Sequence, residues 1–91
     1  MAGRFREIRE EESYKDAKKR LRHSAKRLDE ILDGVIWTLA RKPDSFPQVP
    51  GLDLWIAKTD AAPETPRLYI WFTFDAKLVS LLLIEEAPKA E

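Results

Sequence analysis

The sequence predicts an α+β domain in which a short N-terminal strand and a helical hairpin pack on a three- to four-stranded antiparallel sheet. Three observations carry this expectation. Apolar residues recur every three to four positions at Tyr14, Ala17, Leu21, Ala25, Leu28, Leu32, Val35 and Leu39, which is one face of a helix. Lys42-Pro43 stops that pattern, because the residue before a proline is disfavoured in the α region. Beyond it, Leu68, Ile70, Phe72 and Phe74 alternate with Arg67, Tyr69, Trp71 and Thr73, the period of a strand with one buried face.

Residues 1–12 form the lead-in, where Phe5 and Ile8 among charged neighbours permit a short edge strand. Ser13-Tyr14-Lys15-Asp16 has the form of a capping box, so a helix is expected to begin at Ser13. Residues 13–42 are helical. Ser24 can cap a second helix while no Gly or Pro forces a break, so one helix and two both remain open, and a hairpin bending at His23-Ser24 is the expectation. Ile31, Ile36 and Trp37 widen the apolar stripe, which predicts deeper burial in the second half. Pro47, Pro50 and Gly51 make 43–51 a stiff connection, with Phe46 and Val49 expected to pin it to the core. The antiparallel sheet occupies 52–86 as three runs, Leu52 to Thr59, Arg67 to Asp75 and Lys77 to Glu85, and 87–91 is a tail.

A chain of 91 residues has room for one core and one domain. With 44% hydrophobic and 35% charged residues, it reads as an ordinary globular protein rather than a disordered one. Cysteine is absent, which removes disulfides, thiolate nucleophiles and zinc-thiolate sites. No apolar run reaches the roughly 18 residues that span a bilayer, and Gly3 to Glu12 is charged. A cytoplasmic protein without a membrane partner is expected. Residues 1–42 hold twelve Lys/Arg against eight Asp/Glu, and 43–91 hold four against eight, so the first half can attract an anionic partner.

Three scattered glycines, Gly3, Gly34 and Gly51, form no phosphate loop. His23, the sole histidine, lies among Arg22, Lys26 and Arg27, which disfavour its protonated form. No cofactor or metal is implied. Lys15, Lys18, Lys19, Arg22 and Lys26 recur at helical spacing and gather into a basic stripe, either a phosphate-binding surface or a solvated face. Arg67, Tyr69 and Trp71 share the non-core face of their strand, joining a bidentate phosphate donor to flat rings on which unpaired bases stack; Lys58, near the end of the preceding strand, can join them.

Glu12-Ser13-Tyr14-Lys15-Asp16-Ala17-Lys18-Lys19-Arg20-Leu21 looks like a first helix, and Pro66-Arg67-Leu68-Tyr69-Ile70-Trp71-Phe72 with Asp75 looks like an Arg-led strand and hairpin. In this order, over nearly the whole chain, they resemble the RelE/ParE superfamily of bacterial type II toxin-antitoxin toxins. The resemblance implies a toxin bound by a cognate antitoxin, as a hetero-oligomer or a homo-oligomer, that acts as a ribosome-dependent mRNA endoribonuclease or as a gyrase inhibitor. It casts Arg67, Lys58 and Tyr69 as catalytic, and Lys15, Lys18, Lys19, Arg22, Lys26 and Trp71 as nucleic-acid or partner contacts. Where nuclease members carry basic residues and a Tyr or His after the last strand, this chain has Glu85-Glu86-Ala87-Pro88. The catalytic set is thus degenerate at its C-terminal end. The rival reading is a non-enzymatic protein-binding module built from Tyr69, Trp71 and the basic helix.

Overall fold

The computed structural model describes residues 5–22, 28–59 and 67–87. Its elements run β1 (Glu7–Glu10), α1 (Glu12–Arg22), α2 (Leu28–Arg41), a 3₁₀ turn (Pro43–Ser45), β2 (Trp55–Lys58), β3 (Leu68–Phe74) and β4 (Leu78–Glu86). The four strands form one sheet in the order β1-β4-β3-β2. β2, β3 and β4 are an antiparallel meander, whereas β1 lies parallel to β4 with Glu7 opposite Leu78 and Glu10 opposite Leu81. The sheet is therefore mixed and not antiparallel throughout. The helices supply the physical reason, since parallel strands need a long connection that leaves one sheet edge and returns at the other.

Two separate helices replace the continuous periodic stretch; the expected bend at His23-Ser24 lies outside the described residues. The apolar stripe faces the sheet. Tyr14, Ala17, Leu28, Leu32 and Leu39 are buried with Ala57, Leu68, Ile70, Phe72, Val79, Leu81 and Ile84, and Leu21 and Val35 pack at the margin. Ala25 is outside the described residues. Trp37 departs from expectation: it is 60% exposed, with the Arg41 guanidinium stacked 4.4 Å from its ring centre. One helical turn separates the two residues, so a cation covers the ring in place of the core.

The capping box at Ser13 is not formed. α1 starts one residue earlier, and the Ser13 hydroxyl donates to the Leu82 carbonyl of β4. That carbonyl belongs to an irregularity. Trp71 of β3 faces Leu83, but Phe72 faces Leu81, so Leu82 is an extra residue in β4. Such a bulge reverses which side chains point inward beyond it. Val79 and Leu81 are buried before the bulge and Ile84 after it. The Glu11 amide also donates to Leu81 at 2.9 Å, tying the start of α1 to the same place.

Phe46 meets Phe72 edge-on at 6.0 Å between ring centres, pinning the proline-rich connection as expected. Gly51 turns that segment with φ +80°, a conformation that disfavours other residues. The connection then runs beside β2: Ile56 donates to the Pro47 carbonyl, Val49 donates to Leu54, and Gln48 bridges to Trp55. This shortens the expected strand from Leu52 to Trp55, leaving Leu52 54% exposed. At the β3–β4 turn, the Asp75 carboxylate accepts the Lys77 and Leu78 amides at 2.8 and 2.9 Å. These bonds, followed by the charges of Arg6 and Lys77, hold its carboxyl below the usual range. β4 ends at Glu86, and Ala87 still donates to the Arg67 carbonyl; the rest of the expected tail is outside the described residues.

Candidate functional site

Pairing of β2, β3 and β4 builds two cross-strand rows on the sheet face turned away from the core. Lys58, Tyr69 and Glu85 form one row, and Ile56, Trp71 and Leu83 form the next. Opposed side chains in an antiparallel pair stand about 5 Å apart, close enough for rings and long chains to touch. The Lys58 ammonium stands 5.4 Å from the Tyr69 ring centre, and the Trp71 indole N–H donates to Glu85 Oε2 at 2.9 Å. Each aromatic ring is thus half-buried and held by a charged group.

Arg67 stands immediately before β3, exposed and in phase with Tyr69 and Trp71. Its backbone is fixed by Ala87, while among the described residues its guanidinium makes no hydrogen bond or ion pair. Arg67, Lys58, Tyr69 and Trp71, expected to act together, do share one end of one sheet face. Chemically, this end offers two cations able to bind a phosphate or carboxylate, two rings able to stack, and one phenol able to exchange a proton. Glu85 opposes them with a carboxylate on the same face, while Glu86, exposed at the end of β4, pairs with the core residue Leu68.

The basic stripe is not part of this surface. Tyr14 and Ala17 of α1 are buried against the opposite sheet face, so Lys15, Lys19 and Arg22 project from the far side of the domain. Arg22 pairs with Asp29 at 3.2 Å. Lys18 differs from its neighbours: its ammonium contacts both Glu10 oxygens at 3.0 and 2.9 Å, and only 18% of its side chain is exposed. It fastens α1 to β1. Lys26 and His23 lie outside the described residues.

Next to that pair, the Tyr14 hydroxyl is buried and has no hydrogen-bond partner among the described residues. Burial, and then the nearby Glu10 charge, push its pKa far above the ordinary value.

The feature that sequence reasoning missed is Glu85 as the partner of Trp71. Simple alternation through Val79 and Leu81 puts Glu85 on the core face, and only the extra residue Leu82 brings it out to the indole. Nothing in a continuous apolar run such as Leu81 to Ile84 marks where a bulge falls. Among the described residues no three His, Asp or Glu side chains converge as a metal site, and no helix is long and apolar enough to cross a membrane. Compared with protein-family models, curated proteins and solved structures, the chain matches none.

Proposed function

We propose that the protein is the toxin of a type II toxin-antitoxin pair, of RelE/ParE character, and that it acts through the outer face of its sheet. The observation that carries this reading is the bracketing of Tyr69 by Lys58, its neighbour on β2, and Arg67, two residues before it, on a face that neither helix covers. The order strand, two helices, then a three-stranded meander also supports it. In this reading the substrate is mRNA held in the ribosome. The 2′-hydroxyl oxygen attacks the adjacent phosphorus and gives up its proton, while the 5′-oxygen leaves and gains one. Arg67 and Lys58 stabilise the charge gathering on the phosphate, and Tyr69 serves in proton transfer.

A second reading is favoured by the Trp71–Glu85 bond. A carboxylate beside the rings repels RNA, and a satisfied indole flanked by Ile56 and Leu83 has the composition of a protein-binding patch. It describes a non-enzymatic binding module, or a toxin that inhibits gyrase. Induced expression in a bacterial host, scored for growth and for mRNA integrity, separates these outcomes. Growth arrest with cleaved mRNA supports the nuclease, arrest with intact mRNA supports a protein target, and unimpaired growth at verified expression overturns the toxin reading.

A further inference from the structure

The chain carries a second cluster of exposed aromatic and cationic side chains at the other end of β4. Phe5 is 57% exposed and Trp37 is 60% exposed, and the Arg41 guanidinium lies between them, 5.2 Å from the first ring centre and 4.4 Å from the second. Phe5 also lines an open cleft of about 490 Å³ with Arg6, Glu7, Ala76 and Lys77. Arg6 is oriented there by its Nε, which donates to the Asp75 carbonyl at 2.7 Å, and by stacking 5.4 Å from the Phe74 ring centre. Arg41 has no acidic ion-pair partner among the described residues, whereas Lys77 and Arg6 both lie in the field of the Asp75 carboxylate. Lys77 precedes β4, whereas Glu85 is its penultimate residue, so eight residues of strand place this cluster roughly 25 Å from the sheet-face site.

We infer that this cluster is a docking surface for an acidic polypeptide segment bearing an apolar side chain. Stacking on two rings orients the Arg41 plane and leaves its edge N–H groups available for bidentate bonding to a carboxylate. Arg6 and Lys77 bring further positive charge to the cleft beside Phe5, which accepts the apolar anchor. Trp, Phe and Arg gathered at one exposed spot are the residue types that dominate protein interfaces. Glu7 in the cleft and Asp33, one helical turn before Trp37, set the surface against a polyanion such as RNA. A peptide can place its carboxylates selectively.

The test is selection of a displayed library of random 12-residue peptides on the wild-type chain. Enriched peptides are then made synthetically and titrated while the Trp37 indole and the Lys77 amide are followed by NMR. Enrichment of Asp and Glu around an apolar residue is expected, with shifts at both reporters and binding weakened at least tenfold by Arg41→Gln and by Trp37→Ala. Because both residues are exposed, unchanged amide spectra elsewhere certify folding. Arg67→Ala is expected to leave this binding unchanged. The inference is overturned by enriched peptides that are neutral or basic, by shifts confined to Tyr69 and Trp71, by no enrichment, or by a 12-nucleotide uridine strand that binds the same reporters more tightly than the peptides do.

Discussion

The indole of Trp71 and the carboxylate of Glu85 are hydrogen-bonded across β3 and β4, 2.9 Å apart, because β4 has one residue more than the strand it faces. Leu82 is that residue, and the Ser13 hydroxyl accounts for its carbonyl. Face, bond and helix anchor thus depend on a single insertion.

Ser13→Ala removes the partner of the Leu82 carbonyl at the bulge. A loss of about 1 kcal/mol is expected in urea unfolding, typical of one side-chain hydrogen bond. An unchanged midpoint would mean that water replaces the hydroxyl at no cost.

Glu85→Gln keeps an acceptor for the Trp71 indole but removes a negative charge beside Tyr69. Stability is expected to change by no more than about 0.5 kcal/mol. Affinity for a single-stranded RNA oligomer should rise, with a steeper dependence on salt. Identical titrations for the two proteins at several salt concentrations would remove RNA from this face.

Arg67→Ala and Phe72→Ala form a contrast. Phe72 is fully buried, and its truncation is expected to cost about 3 to 5 kcal/mol. Arg67 is exposed, so its removal should cost about 0.5 kcal/mol or less while abolishing growth arrest if it binds phosphate. Paired melting curves and growth assays check both. An Arg67→Ala protein that is folded and fully toxic would exclude the RNA site and leave the protein-target reading.

Tyr14 makes stability sensitive to alkali. The unfolded chain ionises this phenol near its ordinary value of about 10, whereas the folded chain holds it neutral to higher pH. Above about pH 10 the unfolded state therefore binds fewer protons, and stability falls by roughly 1.4 kcal/mol per pH unit until the folded phenol also ionises. Below that range the contribution is intact. Tyr14→Phe should flatten this alkaline limb and, because the hydroxyl has no partner among the described residues, leave neutral stability unchanged or raised. Denaturant midpoints from pH 7 to 11 for both proteins test it.

Lys18→Gln and Lys19→Gln should separate two roles within one stripe. The first loosens the half-buried pair with Glu10 and is expected to cost about 1 kcal/mol. The second should leave stability nearly unchanged and matter only if the outward face of α1 meets phosphates, in which case the salt slope of target binding becomes shallower.

Most of the architecture was legible where a single period dominates. The spacing from Tyr14 to Leu39 and the alternation from Leu68 to Phe72 correctly marked the buried faces, because burial on one side imposes those periods. Trp37 misled because an apolar ring near the stripe can equally be covered by Arg41, a choice made by neighbouring side chains rather than by hydropathy. Ser13 misled because the bulge carbonyl of Leu82, remote in sequence, accepts the hydroxyl assigned to the helix cap. That Lys58 could join Arg67, Tyr69 and Trp71 was legible from its place near a strand end, while its pairing with Tyr69 depends on register and Glu85 entered the site through a change of phase that no local pattern marks.

The connection that ends in Gly51 does more than join α2 to β2. By pairing with Leu54, Trp55 and Ile56, residues 47–49 occupy the outer rim of the sheet, and Pro47 offers only a carbonyl there. An uncovered rim is a template onto which a second chain can add and from which fibrils grow. At the opposite rim β1 is only four residues long, three of them charged. The domain therefore guards both flanks of its sheet against self-templating, so that its half-buried outer rings stay open without inviting copies of the same chain to stack edge to edge.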